Sequence, residues 1–264
     1  MRHGNWMRII CLLGIIAILC TNYCIYAEAN GACNWYCKRT DDHSQPKFGS
    51  DLSWVREFDG IYIDQANGDD SNDKVVYLTF DAGYENGNVE KILDVLNEEN
   101  VPGAFFILGN LIDRNPDLVK RMSDEGHLVC NHTTKHKNIT KLNKEDIIKE
   151  IQALENAYTE LTGKQMAKYF RPPEGTFDKE SLIIVQECGY KTVFWSFAYA
   201  DWDNAHQMSP EKAEKKILDN IHNGAVILLH PTYETNAKIL GKVIRALKAD
   251  GYRFGTLDEL TQIK

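Results

Sequence analysis

Short apolar runs alternate with amphipathic stretches along most of the chain. The runs typical of buried strands lie at 75–80, 104–108, 128–130, 169–171, 192–195, 225–229 and 252–254. Amphipathic helices are predicted at 89–97, at 118–125 and around 240–247, and a spacing of four and three residues predicts a long helix through Ile147, Ile151, Leu154, Tyr158 and Leu161. Repeated strand–helix units predict an α/β fold with a parallel sheet, open or closed into a barrel.

The chain divides into three parts by composition. Arg2 and Arg8 precede an apolar run at 9–20, and a small-x-small sequence at 27–29 offers a cleavage site, so residues 1–29 are predicted to be a signal peptide or a signal anchor. The polar, aromatic stretch at 30–73 predicts an arm that wraps the main domain, which is expected at 74–264. We therefore expect an exported protein of the cell envelope, free or anchored through its first segment.

The charge balance narrows the range of partners. The 264 residues include 30 basic and 38 acidic side chains, giving a formal net charge of -8 without any block of Lys or Arg. This balance argues against nucleic acid or an anionic membrane surface as the main partner. Beyond the first segment the cysteines are too few for a disulfide scaffold, and their spacing leaves every pairing open: Cys33, Cys37, Cys130 and Cys188.

Chemically distinctive side chains stand at the carboxyl ends of the predicted strands. They are Asp81, His132, Arg171, Asp201 and His230. Each has an ordinary explanation when taken alone, such as a loop cap, a surface ion pair or a core histidine. Because the carboxyl ends of parallel strands meet at one edge, where sites in such folds are built, the five together predict a functional site.

The residue types favour hydrolysis of an amide or an ester. A carboxylate such as Asp81 can act as a general base toward water, a histidine such as His230 can act as a general acid, and a metal can polarise the carbonyl group. The spacing of His132 and His136 allows both imidazoles to share one divalent cation, with zinc as the expected metal. Neither a GxSxG elbow, nor a phosphate-binding loop, nor a dinucleotide fingerprint occurs in the sequence.

Five ordered motifs resemble those of the polysaccharide deacetylase family, carbohydrate esterase family four. They are TFDAG at 79–83, HTTKH at 132–136, RPPEG at 171–175, DW at 201–202 and LLH at 228–230. The segments YENG at 84–87, RPP at 171–173 and FWSFAY at 194–199 are similar to the delta-lactam-biosynthetic de-N-acetylases of spore-forming bacteria. The resemblance covers about 74–260, and it implies a distorted (β/α) barrel as the catalytic domain.

The resemblance also implies a role for each matching residue. The implied roles are Asp81 as base, Arg171 as its positioning residue, His230 as acid, Asp201 as the partner of the acid, Trp202, Leu228 and Pro173 as pocket residues, and His132 and His136 as metal ligands. The sequence departs from the family pattern at Ala82, where most members have the aspartate that completes the metal site. We therefore expect a divalent ion to bind more weakly here than in a His-His-Asp relative.

The function implied is removal of the N-acetyl group from N-acetylmuramic acid in spore-cortex peptidoglycan. The freed amine can close onto the lactyl carboxylate to give muramic delta-lactam, which requires prior removal of the peptide by a wall amidase. One alternative is a deacetylase of N-acetylglucosamine or chitooligosaccharides. Another is an inactive wall-binding module, for which Ala82 is the best argument and the retained acid and base the counterargument.

Overall fold

The computed structural model describes residues 31–40, 42–47 and 52–262, so the predicted signal segment at 1–29 lies outside the described residues. The strands are β1 (Cys33–Asn34), β2 (Val75–Ala82), β3 (Ala104–Ile107), β4 (Leu128–Asn131), β5 (Tyr169–Phe170), β6 (Thr176–Phe177), β7 (Lys191–Thr192), β8 (Ala225–Leu229) and β9 (Arg253–Phe254). The α-helices are Val89–Glu98, Gly109–Arg114, Pro116–Asp124, Lys144–Thr162, Lys179–Glu187, Pro210–Leu218, Glu234–Ala249 and Leu257–Thr261. Short 3-10 helices cover Ser53–Phe58, Ile139–Lys141 and Pro173–Gly175.

A parallel sheet forms the centre of the domain. Its strands follow the order β7-β5-β4-β3-β2-β8, and β9 pairs with the first residues of β2. The sheet curls into a half-barrel surrounded by helices, which confirms the predicted fold class, a distorted α/β barrel. Because the paired strands are parallel, their carboxyl ends lie along one edge of the sheet.

Part of the arm lies between the two edge strands of this sheet. Ile61 forms a parallel bridge with Val193, beyond β7, and Ile63 forms an antiparallel bridge with Ala225 of β8. The carbonyl oxygen of Ile61 also accepts a hydrogen bond from the N–H of Phe194 at 2.7 Å. These bonds satisfy backbone groups that an open half-barrel would leave unpaired at its edges.

Side chains alternate along β2 between two environments. Phe80 and Ala82 belong to the large apolar cluster that the sheet forms with the outer helices. Tyr77 belongs to a smaller cluster on the inner face, and the inner-face positions after it are the polar residues Thr79 and Asp81. The inner face therefore changes from apolar to polar toward the carboxyl edge, where the motifs converge.

The observed elements differ from the sequence-based expectation in length and in number. The runs at 169–171 and 192–195 contain strands of two residues, since Pro172 follows the first and the chain after the second pairs with the arm through one bridge, Val193 with Ile61. Short helices such as Gly109–Arg114 and Leu257–Thr261 were not predicted, because so few turns give little apolar periodicity.

Two further observations concern the helices and the thiols of the described residues. None of the helices in the described part of the chain has both the length and the apolar character that crossing a membrane requires. Cys37, Cys130 and Cys188 carry free thiols. Burial raises the pKa of the Cys37 thiol to about 11, so this thiol stays protonated at neutral pH.

Candidate active site

The structure brings the predicted site residues together at the carboxyl edge of the sheet. Asp81 is the second-to-last residue of β2. His132 follows β4, Arg171 follows β5, and His230 follows β8, each directly after the last strand residue. Asp201 comes from the loop beyond β7 and reaches His230. Adjacent strands in a parallel sheet deliver these side chains to one place.

A buried arginine holds the carboxylate of Asp81. The Nη1 of Arg171 donates to Asp81 Oδ1 at 2.7 Å, and Nη2 donates to Thr79 Oγ1 at 2.9 Å. The remaining donors reach the carbonyl oxygens of Val193 and Phe194, so the fully buried guanidinium has its position fixed on every side. Burial is the largest effect on the Asp81 carboxyl and opposes its ionisation, but Arg171 and the neighbouring histidines together outweigh burial and hold the pKa of this carboxyl below its usual range.

A second buried ion pair joins His230 to Asp201. The Nδ1–H of His230 donates to Asp201 Oδ1 at 2.7 Å, and the backbone N–H of His230 donates to Oδ2 of the same carboxylate at 2.8 Å. Burial disfavours the imidazolium, yet the hydrogen bond and the charge of Asp201 raise the pKa of His230 above its usual value. Since Nδ1 is bonded, Nε2 is the nitrogen left for chemistry.

Asp81 and His230 open onto one cavity of about 450 Å³. Its lining comprises Trp35, Asp81, His136, Glu174, Gly175, Trp195, Ala198, Tyr199, Trp202, Leu228 and His230. Trp202 and Leu228 are therefore cavity residues, and the indole of Trp202 is 64% exposed. Pro173 is buried in the neighbouring turn and is outside this lining, so its contact with substrate stays a prediction.

The two histidines of the HTTKH motif lie close together. Their ring centroids are 4.9 Å apart, with the rings nearly perpendicular. Left-handed backbone at Thr133 and His136 folds the loop tightly, and the Thr133 hydroxyl accepts from the His136 N–H at 2.9 Å. Glu150 secures the loop from the helix Lys144–Thr162 by accepting from the N–H of Lys135. Backbone conformation and hydrogen bonds to backbone N–H groups therefore fix the shape of this loop.

His132 has a defined tautomer. Its Nδ1 lies 2.8 Å from the carbonyl oxygen of Arg171, which can only accept, so Nδ1 carries the hydrogen. Burial lowers the pKa of His132 to about 4, so the imidazole is neutral at physiological pH. The Nε2 lone pair then faces Asp81 Oδ2 at 3.5 Å. A neutral imidazole with a backbone-bonded Nδ1–H is the form in which histidine binds metals.

The ligand set for a metal is incomplete. Two imidazoles are available, but within the described residues no group of three or more His, Cys, Asp or Glu side chains is placed to hold an ion. Ala82, at the position of the expected third ligand, is fully buried and packs in the outer apolar cluster. The residues present therefore do not fit the three-ligand centre of a catalytic zinc site.

Several cavity residues were missed by the sequence-based reasoning. Trp35 of the arm donates its Nε1–H to the carbonyl oxygen of Trp195 at 2.8 Å and stacks on Phe194 at a centroid distance of 4.3 Å. Glu174 has a left-handed backbone, with φ of 60°, at the cavity wall. The aromatic content of the arm and the RPPEG turn were the available signals, but neither indicates a cavity without the tertiary fold.

Comparison with known proteins defines the class of protein. The polysaccharide deacetylase family matches residues 68–193. The chain is 38% identical over 259 residues to the peptidoglycan-N-acetylmuramic acid deacetylase PdaA of Bacillus subtilis, covering 97% of this chain and 95% of that protein. The chain belongs to the polysaccharide deacetylase family, and the predicted enzyme class, a hydrolase acting on a carbon–nitrogen bond other than a peptide bond, is confirmed.

Solved structures support the same assignment. The structure of Bacillus subtilis PdaA, a family 4 carbohydrate esterase, superposes with a TM-score of 0.83 at 38% identity and covers 87% of this chain and 97% of that chain. A family 4 carbohydrate esterase from Bacillus anthracis gives a TM-score of 0.72 at 35% identity, covering 88% of this chain and 97% of that chain. Family 4 esterases are in general metal-dependent.

Proposed function

We propose that this protein hydrolyses the N-acetyl group of N-acetylmuramic acid residues in peptidoglycan. The observation that carries the proposal is one cavity with an arginine-held carboxylate, Asp81, and an aspartate-held imidazole, His230. The similarity to PdaA, which is named as a peptidoglycan-N-acetylmuramic acid deacetylase, supports muramic acid as the acetylated sugar.

Asp81 is assigned the role of general base. Its low pKa keeps it ionised, and Oδ2 is free of Arg171, which binds Oδ1. In the proposed first step Oδ2 takes a proton from a water molecule as the water oxygen bonds to the acetamide carbonyl carbon. Because the Arg171 guanidinium cannot leave its buried position, the carboxylate is oriented before substrate arrives.

His230 is assigned the role of general acid. The carboxylate of Asp201 favours the imidazolium and directs Nε2 into the cavity. In the second step Nε2 gives its proton to the amide nitrogen while the carbon–nitrogen bond breaks, leaving acetate and the free amine of the sugar. The exposed Trp202 and the buried Leu228 are proposed as the walls that contact the acetyl methyl group.

The finer proposals concern substrate state and location. If the lactyl carboxylate is free of peptide, the new amine can condense with it to form muramic delta-lactam, which places a wall amidase before this enzyme. Such a reaction belongs to the spore cortex, so the protein is proposed to be exported and to act during sporulation. Its partner is then the glycan strand of peptidoglycan.

We propose that a divalent metal binds here only weakly, with the two imidazoles as its protein ligands. His132 and His136 are the candidate ligands for a divalent ion, with zinc the first to test, and water or another oxygen would complete its coordination. The proton transfers assigned above use Asp81 and His230.

The test is mass analysis of wall fragments after incubation with the purified protein. Peptide-free glycan strands are expected to lose the mass of one acetyl group from muramic acid, with a further loss of water where the lactam closes, while glucosamine stays acetylated. Asp81→Asn and His230→Ala are each expected to lower turnover by about 10²- to 10⁴-fold with the fold intact. Equal acetate release from chitooligosaccharides would contradict the substrate, and near-normal turnover by either variant would remove that residue from the mechanism.

A further inference from the structure

An asparagine outside the family motifs contacts the acid pair. Asn236 lies in the first turn of the helix Glu234–Ala249 and is 1% exposed. Its Nδ2 donates to Asp201 Oδ2 at 2.7 Å and to the carbonyl oxygen of His230 at 3.0 Å. Both amide hydrogens are thus used to join the helix to the two members of the ion pair.

The orientation of this amide is fixed by its partners. If the amide were reversed, its oxygen would face Asp201 Oδ2 and the carbonyl oxygen of His230, and all three atoms are acceptors. The amide oxygen therefore points the other way, where it accepts from the hydroxyl of Tyr199. Tyr199 also lines the cavity, so a chain of hydrogen bonds runs from the cavity wall through Asn236 to Asp201.

We propose that Asn236 is the positioning residue of the acid: it fixes the Asp201 carboxylate against His230, and its amide dipole keeps the imidazolium able to release its proton. This inference rests on the proposed acid role of His230. The positive end of the amide stabilises Asp201 most when His230 is neutral, because the carboxylate charge is then unopposed. Tyr199 strengthens this effect by polarising the amide from its oxygen side.

Other charged groups facing His230 do not supply this effect. Asp81 lies across the cavity and favours the imidazolium, while Arg171 opposes it. Neither touches Asp201 Oδ2, which accepts from the backbone N–H of His230 and from Asn236. Removing the Asn236 side chain would leave Asp201 Oδ2 with one donor. Because the carboxylate charge would then be less stabilised by hydrogen bonds, it would attract the imidazolium more strongly, and His230 should hold its proton more tightly.

The experiment is an NMR titration of His230 in the resting protein, which does not depend on turnover. Asn236→Leu keeps the side-chain size but has no donor, and Tyr199→Phe removes one hydroxyl. The His230 pKa is expected to rise from the parent to Tyr199→Phe and further to Asn236→Leu, with Asn236→Leu about one pH unit above the parent, a tenfold change in proton affinity. Lys238→Ala, on the same helix and paired with Glu234, is the control and should not move it.

Kinetics provide the second readout. An imidazolium that holds its proton more tightly is a weaker acid. The alkaline limb of the pH–kcat profile should therefore move to higher pH in the same order, and kcat at pH 7 should fall about two- to tenfold in Asn236→Leu. An unchanged or lower His230 pKa in folded Asn236→Leu would overturn the inference. If Asn236→Leu fails to fold, an unchanged pKa in Tyr199→Phe overturns it. If the variants show the expected order of the His230 pKa but the parent protein does not deacetylate peptidoglycan, the proposed function is contradicted. The role of Asn236 at the ion pair is then still supported.

Discussion

Replacing Arg171 by methionine should make the protein less stable at neutral pH than at mildly acidic pH. The substitution keeps a side chain of similar length but removes the charge 2.7 Å from Asp81 and the donors to Thr79 and two backbone carbonyls. Asp81 is then a buried carboxylate without its cationic partner. Leaving one member of a buried pair uncompensated typically costs about 3–5 kcal/mol, a large share of the stability of a domain.

The pH dependence gives the sign. In the parent, the depressed pKa of Asp81 means that its stabilising contribution is present above its ordinary pKa of about 3.9 and is lost as the pH falls through the folded-state value. Without Arg171, burial is the main remaining effect and raises the pKa of Asp81 above the ordinary value. The charged form then destabilises the folded state, and stability rises as the pH falls toward the raised pKa.

The assay is urea unfolding of the parent, Arg171→Met, Asp81→Asn and the double variant at pH 5.5 and pH 7.5. The hydrogen bonds to backbone are lost equally in Arg171→Met and in the double variant, so their difference isolates the buried charge. We expect the double variant to recover at least about 2 kcal/mol at pH 7.5 and less at pH 5.5. A double variant no more stable than Arg171→Met, or an Arg171→Met protein within about 1 kcal/mol of the parent, would refute the reasoning.

Three further outcomes are expected. Asp201→Asn removes the charge that raises the pKa of His230, so the alkaline limb of the pH–rate profile should move to lower pH and kcat should fall about 10²- to 10⁴-fold; an unshifted limb would exclude His230 as the acid. Glu174→Gln should raise kcat/KM for peptide-free glycans about two- to fivefold by removing repulsion of the free lactyl carboxylate, with no gain on peptide-bearing strands as the control. Ala82→Asp should tighten zinc binding in calorimetry and Ala82→Asn should not; equal affinity of parent and Ala82→Asp would mean that another group completes the site.

The sequence predicted the edge at which the site lies because parallel pairing leaves little choice. Once the runs at 75–80 and 225–229 are taken as neighbouring parallel strands, the residues just beyond them must be close, as Asp81 and His230 are. The two ion pairs were implied by the family resemblance, and chemistry agrees with them, since a nearby cation keeps a base ionised and a nearby anion favours the protonated form of an acid.

The cavity walls and Asn236 could not be predicted in the same way. Trp35 reaches Trp195 across a sequence separation of 160 residues, and no local pattern encodes such a contact. Asn236 sits on a helix whose apolar stripe was recognised, but an asparagine in a first helical turn is usually interpreted as a cap. Its partner is instead the carboxylate of Asp201, and this is visible only when the helix is docked on the sheet.

The alternation of β2 explains why the acid–base half of the site is complete while the metal half is not. Thr79 and Asp81 face inward to Arg171, so each inner position at this end of the strand has a polar partner. Ala82 takes the opposite face and packs with Phe80 in the apolar cluster, where a carboxylate would lose its hydration unless a cation reached it. An aspartate at this position would lower the stability of the metal-free protein, whereas alanine packs there without that cost. The fold at this strand end therefore does not require a metal, and an ion held by His132 and His136 would need water or another oxygen to complete its coordination.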